Sequence, residues 1–536
     1  SNMYPESMTD GYKCDHKRQY PQFTSLVYSN LTPRTTRRNP APDKFVFAGL
    51  QYFIKRYLIE GWQKDFFDLP KAQVVSRFSR LMRSYLGPDN KVGFEHIAAL
   101  HDLGYLPIKI AALPEGSLGS LRVPCLTIWN THPDFFWITN YLETILSTTL
   151  WGPCTSATTA RQYRKLFSQY AKETGGDLNF VPFQGHDFSF RGMFCFEAAQ
   201  LSGFGHAIYF AGTDTVPVLT FAEDYYGADL DTELVGCSVP ATEHSVMCAG
   251  GMVNEVETFR RLIEDIYPDG IVSIVSDTWD YWKVINPKEG IMQTLKPKIM
   301  ARNGKVVIRP DTGDPVKIVC GLAWEVKDLT EASINEALEA RFDYVMYNSV
   351  YYEIKFKANT PYLEPMDYDS VSPEIKGSIR CLWDGFGGKL NEKGFRELDS
   401  HVGLIYGDSI TLERAGQICE RLKRAKFAST NIVFGIGSFT YAYVTRDTDG
   451  YAVKATFVRI KDQDYSIFKK PATGDGTKNS AKGLLSVTKL DGTFVLHEEV
   501  TWEEATNSEL VVVFENGVLL QEYTLKDIRQ RALEGI

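Results

Sequence analysis

The chain has 536 residues, with 58 Lys or Arg against 67 Asp or Glu, so its formal net charge is −9. This balance argues against a broad nucleic-acid-binding or anionic-membrane-binding surface, because both need excess positive charge. The length indicates two or more domains, or one large barrel with additions. The 44% hydrophobic content is typical of an ordinary globular protein.

The nine cysteines are scattered and form no CxxC pair. Such scatter is typical of reduced thiols and not of a disulfide framework or a zinc site. The N-terminal segment has no apolar core of the signal-peptide type, and no apolar run of about 18 residues predicts a membrane span. We therefore expect a cytoplasmic protein.

Residues 1–150 mix helical patterns with short strands such as "SLRVPCLTIWN" (120–130). Residues 441–536 are richer in strands, with hairpin turns expected at Asp491-Gly492 and Asn516-Gly517. We predict that these two end segments pack together as one flanking, sheet-containing domain.

Residues 151–440 repeat a unit in which a short apolar run ends in a polar cluster and a helical pattern follows. The clusters are "GHDFSFRG" (185–192), "GTDT" (212–215), "ATEHS" (241–245), "SDTWD" (276–280), "RPDTGDP" (309–315), "YGDS" (406–409) and "FGIGS" (434–438). Most recur about every 30 residues, the length of a β-α unit, which predicts an irregular parallel α/β barrel. The segment 150–167 is a candidate for one more unit at the front, and a break in the spacing predicts an insertion near 340–400.

In such a barrel the polar clusters meet at the carboxyl ends of the strands. Asp214, Asp277, Asp311 and Asp408 then share one mouth, where four carboxylates need cations or hydroxyl donors. Arg309 supplies a cation, and the small-residue turn "FGIGS" exposes backbone N–H groups to a phosphate. This combination fits a phosphoribosyl substrate. Further candidates for anion binding lie in or near later turns: Arg446, Lys454, Lys469 and Lys478.

The stretch "CSVPATEHSVMCAGG" (237–251) places Glu243, His244 and Ser245 at a strand-to-helix junction. A single histidine there is more often a packed or capping residue than a catalyst. The unusual content of the other clusters favours a site, and Phe188 and Tyr12 offer flat rings that can stack on a heteroaromatic base.

Taken together, "DGYKCDHKRQYP", "HDFSFRG", "GTDT", "SVPATEHS", "SIVSDTWD", "IRPDTGDP", "YGDS" and "FGIGS…TRD" resemble the nicotinamide phosphoribosyltransferases, in the order that family has them. The resemblance covers about residues 9–530, and the insertion is similar to the bacterial and phage branch. It implies a type II phosphoribosyltransferase: a homodimer with an irregular α/β barrel beside a sheet domain. The implied reaction joins nicotinamide to phosphoribosyl pyrophosphate, giving nicotinamide mononucleotide and pyrophosphate in NAD salvage.

The resemblance also implies site residues. Phe188 and, from the other subunit, Tyr12 stack on the pyridine ring, Asp214 accepts the amide N–H, and Ser273 and Arg309 lie by the amide oxygen. The residues implied to contact the ribose and 5′-phosphate are Asp311, Gly407, Asp408, Arg191, Gly437 and Ser438, with Arg446 and Lys454 from the partner chain. The residues implied to bind the diphosphate or ATP are Ser238, Lys469, Lys478 and Arg34. Ser438 stands where the family commonly has glycine.

His244 matches the histidine that this family phosphorylates with ATP. We expect Glu243 or Asp277 to orient its ring through an Nδ1–H to carboxylate bond. The expected catalytic residues are thus His244, Asp277, Arg309 and Asp311. Mg²⁺ is expected to bind through the diphosphate and not through direct protein ligands.

Two alternatives stay open. Nicotinate phosphoribosyltransferase has the same fold, but Asp214 at about 4 Å from a nicotinate carboxylate costs roughly 4 kcal/mol at an effective dielectric near 20, whereas an amide gains a charge-assisted hydrogen bond. From another class, the chain is alternatively a non-catalytic signalling protein.

Overall fold

The computed structural model describes residues 3–407, 409–474 and 480–536. Two predicted site residues, Asp408 and Lys478, therefore lie outside the described residues. Within the described ranges, no helix is long and apolar enough to cross a membrane.

Six parallel strands form the central sheet. In chain order they are β1 (Gly185–Asp187), β2 (Gly212–Thr213), β3 (Asp269–Val275), β4 (Asn303–Arg309), β5 (Val402–Tyr406) and β6 (Ile432–Ile436). Their spatial order is β2-β1-β6-β5-β4-β3, so β2 and β3 are the two edges of the sheet.

The segment 237–241 closes this sheet into a ring. Gly212 of β2 forms a parallel bridge with Cys237, and Ser273 of β3 forms a parallel bridge with Ala241. The Thr213 amide donates to the Cys237 carbonyl at 3.0 Å, and the Ser273 amide donates to the Pro240 carbonyl at 2.8 Å. The predicted irregular α/β barrel is confirmed.

Helices cover the outside of the barrel because the outward side chains of its strands are apolar, as Val272, Ile274, Val306 and Ile308 illustrate. These helices are Glu143–Thr174, Phe196–Tyr209, Pro217–Tyr226, His244–Gly250, Glu255–Arg260, Arg261–Ile266 (π-helical), Tyr281–Ile285, Ile291–Thr294, Lys296–Met300, Pro315–Cys320, Ser378–Phe386, Leu412–Arg424, Ser438–Tyr441 and Leu525–Ala532.

A seven-stranded antiparallel sheet stands beside the barrel and draws strands from both chain ends, as predicted. Its order is Gln463–Ser466, Tyr451–Ile460, Thr24–Pro33, Leu126–Asn130, Ile108–Ala112, Val511–Glu515 and Val518–Leu519. Two small pairs accompany it: Phe45–Val46 with Leu118–Gly119, and Ser486–Leu490 with Thr493–His497. Its helices are His16–Gln19, Leu50–Phe53, the π-helical Ile54–Gly61 and Gln63–Phe67, Lys71–Leu86, Glu95–Leu103, Ile138–Tyr141 and Trp502–Thr506.

Both predicted hairpin turns of this domain are present. Asp491 and Gly492 have φ values of 50° and 78°, and Asn516 and Gly517 have φ values of 50° and 87°. Two consecutive positive φ angles are the signature of the type I′ turn, whose twist matches that of the flanking strands.

The helix Glu143–Thr174 joins the two parts and runs across the boundary predicted at residue 150. Leu146 and Leu150 pack in the core of the flanking domain, whereas Ala160 and Tyr163 pack in the core of the barrel. The interpretation of 150–167 as a further β-α unit is wrong, because the whole segment is helical. Its small and aromatic residues recur at helical spacing and are buried between two cores. This spacing fits a helix and not a strand.

A separate four-stranded sheet, here called the insert sheet, lies within the predicted break in the barrel. It consists of Ala323–Glu325, Tyr344–Tyr347, Val350–Lys357 and Thr360–Pro365, with the helix Glu331–Glu339. The helix Pro373–Lys376 and a hairpin of Gly388–Leu390 and Arg396–Leu398 follow. The helix Ser378–Phe386, also inside the predicted range 340–400, packs on the barrel core through Ile379 and Leu382.

Candidate active site

A cavity of about 400 Å³ lies inside the barrel. Five residues singled out in the sequence line it together: Phe188, Asp214, Ser238, Ser273 and Arg309. They come from the ends of β1, β2, β3 and β4 and from the closing segment 237–241, so barrel closure brings them to one place.

The alternation of strand side chains explains which residues reach the cavity. In β4, Lys305, Val307 and Arg309 line it, whereas Val306 and Ile308 are buried in the surrounding core. Successive side chains of a strand point to opposite faces, so every second residue of β4 faces inward. Lys305 was not foreseen, and burial lowers its pKa while Asp399 acts in the opposite direction.

Asp214 is held by two donors. His186 Nε2 lies 2.7 Å from Asp214 Oδ1, and the Ser238 hydroxyl lies 3.3 Å from the same oxygen. Burial would raise the pKa of Asp214, but the hydrogen bond and charge of His186, with help from Ser238 and Arg309, bring it below its ordinary value. The carboxylate is thus kept ionised at the cavity, where its side chain is 49% exposed.

Neighbouring residues hold the Phe188 ring in place. It lies against His186 with ring centroids 4.5 Å apart. Across the sheet, a Cβ added at Gly435 would come within 2.7 Å of the Phe188 ring. Glycine at position 435 therefore leaves the room that this ring occupies, and one face of the ring borders the cavity.

Arg309 is anchored at one end only. Its Nη2 atom donates to the Thr242 carbonyl at 2.8 Å. Its Nε atom is buried and has no hydrogen-bond partner among the described residues. The Arg309 side chain also lines the cavity, where its guanidinium provides a positive charge for a bound ligand.

His244 and Asp277 form a hydrogen-bonded pair at the mouth. His244 Nε2 lies 2.9 Å from Asp277 Oδ1, and the Asp277 side chain is only 4% exposed. The other oxygen, Oδ2, accepts the Asp311 amide at 3.0 Å and the Thr312 hydroxyl at 2.9 Å. Asp277 therefore holds both the histidine ring and the loop that carries Asp311.

The nitrogen of the His244 ring that faces the Asp277 carboxylate is not the one expected from the sequence. Nε2, and not Nδ1, meets Asp277, because His244 begins the helix His244–Gly250 and its ring reaches across to β3 from there. Glu243 stands at the N-cap of that helix, and its side chain makes no capping hydrogen bond. With Nε2 as the donor to Asp277, Nδ1 is the ring nitrogen that keeps a lone pair.

The predicted ribose and phosphate residues cluster at neighbouring turns. A Cβ added at Gly407 would lie 3.2 Å from Asp311 Oδ1, so these two positions adjoin. Ser438 lies against Gly192, where an added Cβ would come within 2.2 Å of the serine hydroxyl. Arg191 is exposed beside that contact, and Gly437 is the N-cap of the helix Ser438–Tyr441.

A second group of predicted residues lies on the flanking domain and not in the cavity. Arg34 and Lys454 line a cleft of about 300 Å³ with Arg122. Burial lowers the pKa of Lys454, as do the charges of Lys469, Arg34 and Arg446, while Glu143 opposes them. Glu143 also pairs with Lys13 at 3.3 Å, beside Tyr12, which is 65% exposed.

The cavity and cleft residues that the sequence reasoning missed include His186, Cys237, Lys305 and Arg122. His186 had a usable signal, because it precedes Phe188 by two positions and must share its face of the strand. Lys305 had the same kind of signal, because it shares a face of β4 with Arg309. Cys237 and Arg122 had none, since only the pairing of distant segments brings them to the site.

Comparison with known proteins shows the family of the chain. The model of the nicotinate phosphoribosyltransferase family matches residues 183–518, and that of the nicotinamide phosphoribosyltransferase N-terminal domain matches residues 6–110. The chain belongs to the nicotinate phosphoribosyltransferase family. A nicotinamide phosphoribosyltransferase of Acinetobacter baylyi is 47% identical over 99% of this chain and 97% of its own length. One of Xanthomonas campestris is 30% identical over 98% and 97%.

A solved structure shares the fold of this family member. The crystal structure of nicotinate-nucleotide pyrophosphorylase from Pyrococcus furiosus superposes with a TM-score of 0.50 at 14% identity, covering 100% of this chain and 96% of that one. At this identity the likeness concerns the fold alone.

A buried carboxyl group lies on the helix that packs against the one carrying His244. Glu255 begins the helix Glu255–Arg260, which packs on His244–Gly250. Glu255 is 6% exposed, and its Oε2 atom has no hydrogen-bond partner among the described residues. Burial raises the pKa of Glu255 to about 7, and Lys283 offsets only part of that effect.

We predict that Glu255→Gln changes the pH dependence of stability. The folded-state pKa of Glu255 lies above its unfolded value of about 4.3, so wild-type stability falls as pH rises through the interval up to about 7. The neutral glutamine removes this loss, and the variant should gain a few degrees of melting temperature over wild type between about pH 5 and about pH 8. Thermal unfolding across that range is the measurement.

Glu257→Gln, on the exposed side of the same helix, is the control. Its melting curves should run parallel to wild type over the same range. Parallel curves for Glu255→Gln as well would contradict the prediction.

Proposed function

We propose that this protein transfers the phosphoribosyl group of phosphoribosyl pyrophosphate to nicotinamide, giving nicotinamide mononucleotide and pyrophosphate in NAD salvage. The observation that carries the proposal is the ionised Asp214 carboxylate beside Phe188 in the barrel cavity. It is supported by the 47% identity to a nicotinamide phosphoribosyltransferase over nearly the whole chain. The assay is formation of the nucleotide from nicotinamide and phosphoribosyl pyrophosphate by the purified protein.

The cavity favours an amide over a carboxylate on the ring. Asp214 Oδ1 is occupied by His186 and Ser238, and the remaining carboxylate lone pairs accept the amide N–H. Arg309, which lines the same cavity, donates from its guanidinium to the amide oxygen. Nicotinate would set two negative charges against each other, so nicotinate phosphoribosyltransferase activity is the second candidate and the weaker one.

The reaction needs alignment more than proton transfer. The pyridine nitrogen already carries a lone pair, so it attacks C1′ of the ribose while the bond from C1′ to pyrophosphate breaks. Phe188 orients the ring, and the carboxylate of Asp311 stabilises the positive charge that develops on the ribose. No general base is needed for the ring nitrogen.

Mg²⁺ fits this site as part of the diphosphate. The oxygens of the diphosphate would hold it, because both oxygens of Asp277 are already engaged by His244, the Asp311 amide and Thr312. When bound to the diphosphate, Mg²⁺ would neutralise charge on the leaving group.

We further propose that ATP phosphorylates His244. Asp277 fixes the ring through Nε2, so Nδ1 is free to attack the γ-phosphorus of ATP as ADP leaves. The side chain is 45% exposed at the mouth, which gives the nucleotide access. A phosphohistidine there adds negative charge beside the diphosphate position and favours its magnesium complex.

The active site is proposed to be shared between two subunits of a homodimer in the cytoplasm. The basic group around Lys454 and Arg34 lies on the flanking domain, outside the barrel cavity that holds Phe188. Loops after β1 and β2 and after the His244 helix expose Phe194 (94%), Val216 (69%) and Val253 (92%). A partner subunit would cover these apolar side chains, and its Tyr12 would cover the second face of the ring.

Asp214→Asn should weaken discrimination against nicotinate. The charge-assisted bond to the amide is lost, worth about 1.5–3 kcal/mol, so the ratio of kcat/KM for nicotinamide over nicotinate should fall at least about tenfold. Ser238→Ala, which removes a neighbour of Asp214 but keeps the charge, should leave the ratio unchanged. An unaltered ratio in Asp214→Asn would show that Asp214 does not face the ring substituent.

His244→Ala should abolish ATP hydrolysis and the stimulation of turnover by ATP. ATP-independent synthesis should survive, because Phe188, Asp214 and Arg309 remain in place. The measurement is the rate of ADP release beside the rate of nucleotide formation. Hydrolysis at the wild-type rate would instead assign His244 a packing or capping role.

Mixing Phe188→Ala with Arg446→Ala chains should restore activity after subunit exchange. About half of the dimers are then mixed and hold one site free of both changes, so about a quarter of wild-type activity returns. Mixing Phe188→Ala with Arg309→Ala is the control, since both residues lie in one cavity and every site of a mixed dimer stays damaged. Equal activity of the two mixtures would rule out a shared site.

A further inference from the structure

A small cavity of about 20 Å³ lies where the insert sheet meets the barrel. Met346 and Tyr351 of the insert sheet line one side, and the helices Ser378–Phe386 and Leu412–Arg424 line the other. The described side chains around it include three cations, Lys376, Arg380 and Arg421, and one carboxylate, Glu325.

Two of the three cations are matched by carboxylates. Arg421 donates to both oxygens of Glu325, at 3.0 and 3.1 Å, and its remaining donors reach backbone carbonyls. Lys376 donates to Asp384 at 2.9 Å, and Asp384 also accepts the Tyr368 hydroxyl. These pairs leave no carboxylate for the third cation.

Arg380 is that third cation. It is 5% exposed, and its one hydrogen bond among the described residues goes to the thioether sulfur of Met346 at 3.6 Å. Its guanidinium carbon lies 4.9 Å from the centroid of the Phe427 ring. Burial and the like charge of Arg380 lower the pKa of neighbouring Arg396.

An uncompensated buried charge is costly, and an arginine cannot escape the cost by losing its proton. Water alone leaves the charge in place, whereas an anion removes it. The space sets the size of that anion, because about 10–15 Å³ of such volume holds one water-sized particle. A phosphate or a carboxylate metabolite is too large for it.

We propose that this cavity binds a single monatomic anion of the size of chloride, held by Arg380 with Lys376 beside it. Besides Arg421, Glu325 and Tyr351, the lining is largely apolar, as Val319, Ala323 and Ile379 illustrate, and apolar surroundings strengthen the attraction. The Glu325 carboxylate also borders the space, but both of its oxygens are engaged by Arg421. The anion ties the insert sheet to the barrel.

Bromide replaces chloride and scatters anomalously, so crystals of the full chain grown in sodium bromide test the site directly. The expected result is an anomalous peak in the cavity within hydrogen-bond distance of the Arg380 guanidinium. Bromide peaks confined to surface side chains, with water or nothing in the cavity, would overturn the proposal.

A solution test follows the melting temperature as sodium chloride replaces sodium gluconate at constant ionic strength. Wild type should rise and then saturate, because bound anion stabilises the folded state by mass action. Arg380→Met should lose this chloride-specific rise, whereas Arg80→Met, at an exposed helical position, should keep it. If Arg380→Met does not fold, the wild-type titration decides: a melting temperature that does not depend on chloride refutes the site.

Discussion

The pairing of segment 237–241 with both edges of the central sheet is the interaction on which the functional part of the molecule depends. β2 has only two residues, and a short open edge leaves backbone groups unpaired. By bridging Gly212 and Ser273, the segment closes the barrel and brings Ser238 and Cys237 onto the cavity wall. The same path brings His244 to the mouth, within hydrogen-bond distance of Asp277, which follows β3.

Inside that ring, charged side chains lie where a bound ligand can pair with them. Asp214 is stabilised in its ionised form by His186, and Asp277 distributes its two oxygens among the His244 ring, the Asp311 amide and the Thr312 hydroxyl. Arg309 adds a positive charge to the same cavity wall. A few polar and charged groups that converge on one largely apolar cavity indicate a substrate site.

The flanking domain contributes charge of the opposite sign from a different part of the chain. The helix Glu143–Thr174 connects the two parts through both cores, so their arrangement does not rest on surface contacts alone. Burial, with repulsion from Lys469, Arg34 and Arg446, lowers the pKa of Lys454. The gathered cations make that cleft a place for an anion. A phosphorylated substrate needs both the carboxylate-lined cavity and the basic cleft, and the proposed dimer brings one of each together.

The sequence by itself determined the parts that depend on local order. The run-and-cluster repeat predicted the barrel, the Asp-Gly and Asn-Gly turns predicted the hairpins, and the spacing of Asp214, Asp277 and Asp311 predicted their common edge. His186 was also within reach of sequence reasoning, because strand alternation ties it to Phe188.

Tertiary structure alone decided the rest. The segment 150–167 became part of one long helix because two cores bury it, and Nε2 of His244 met Asp277 because of where its helix begins. Cys237 and Arg122 reached their sites through pairings between segments far apart in the chain. Local patterns record which way a side chain points within its own element, whereas the identity of its neighbour depends on long-range packing that no short stretch of sequence contains.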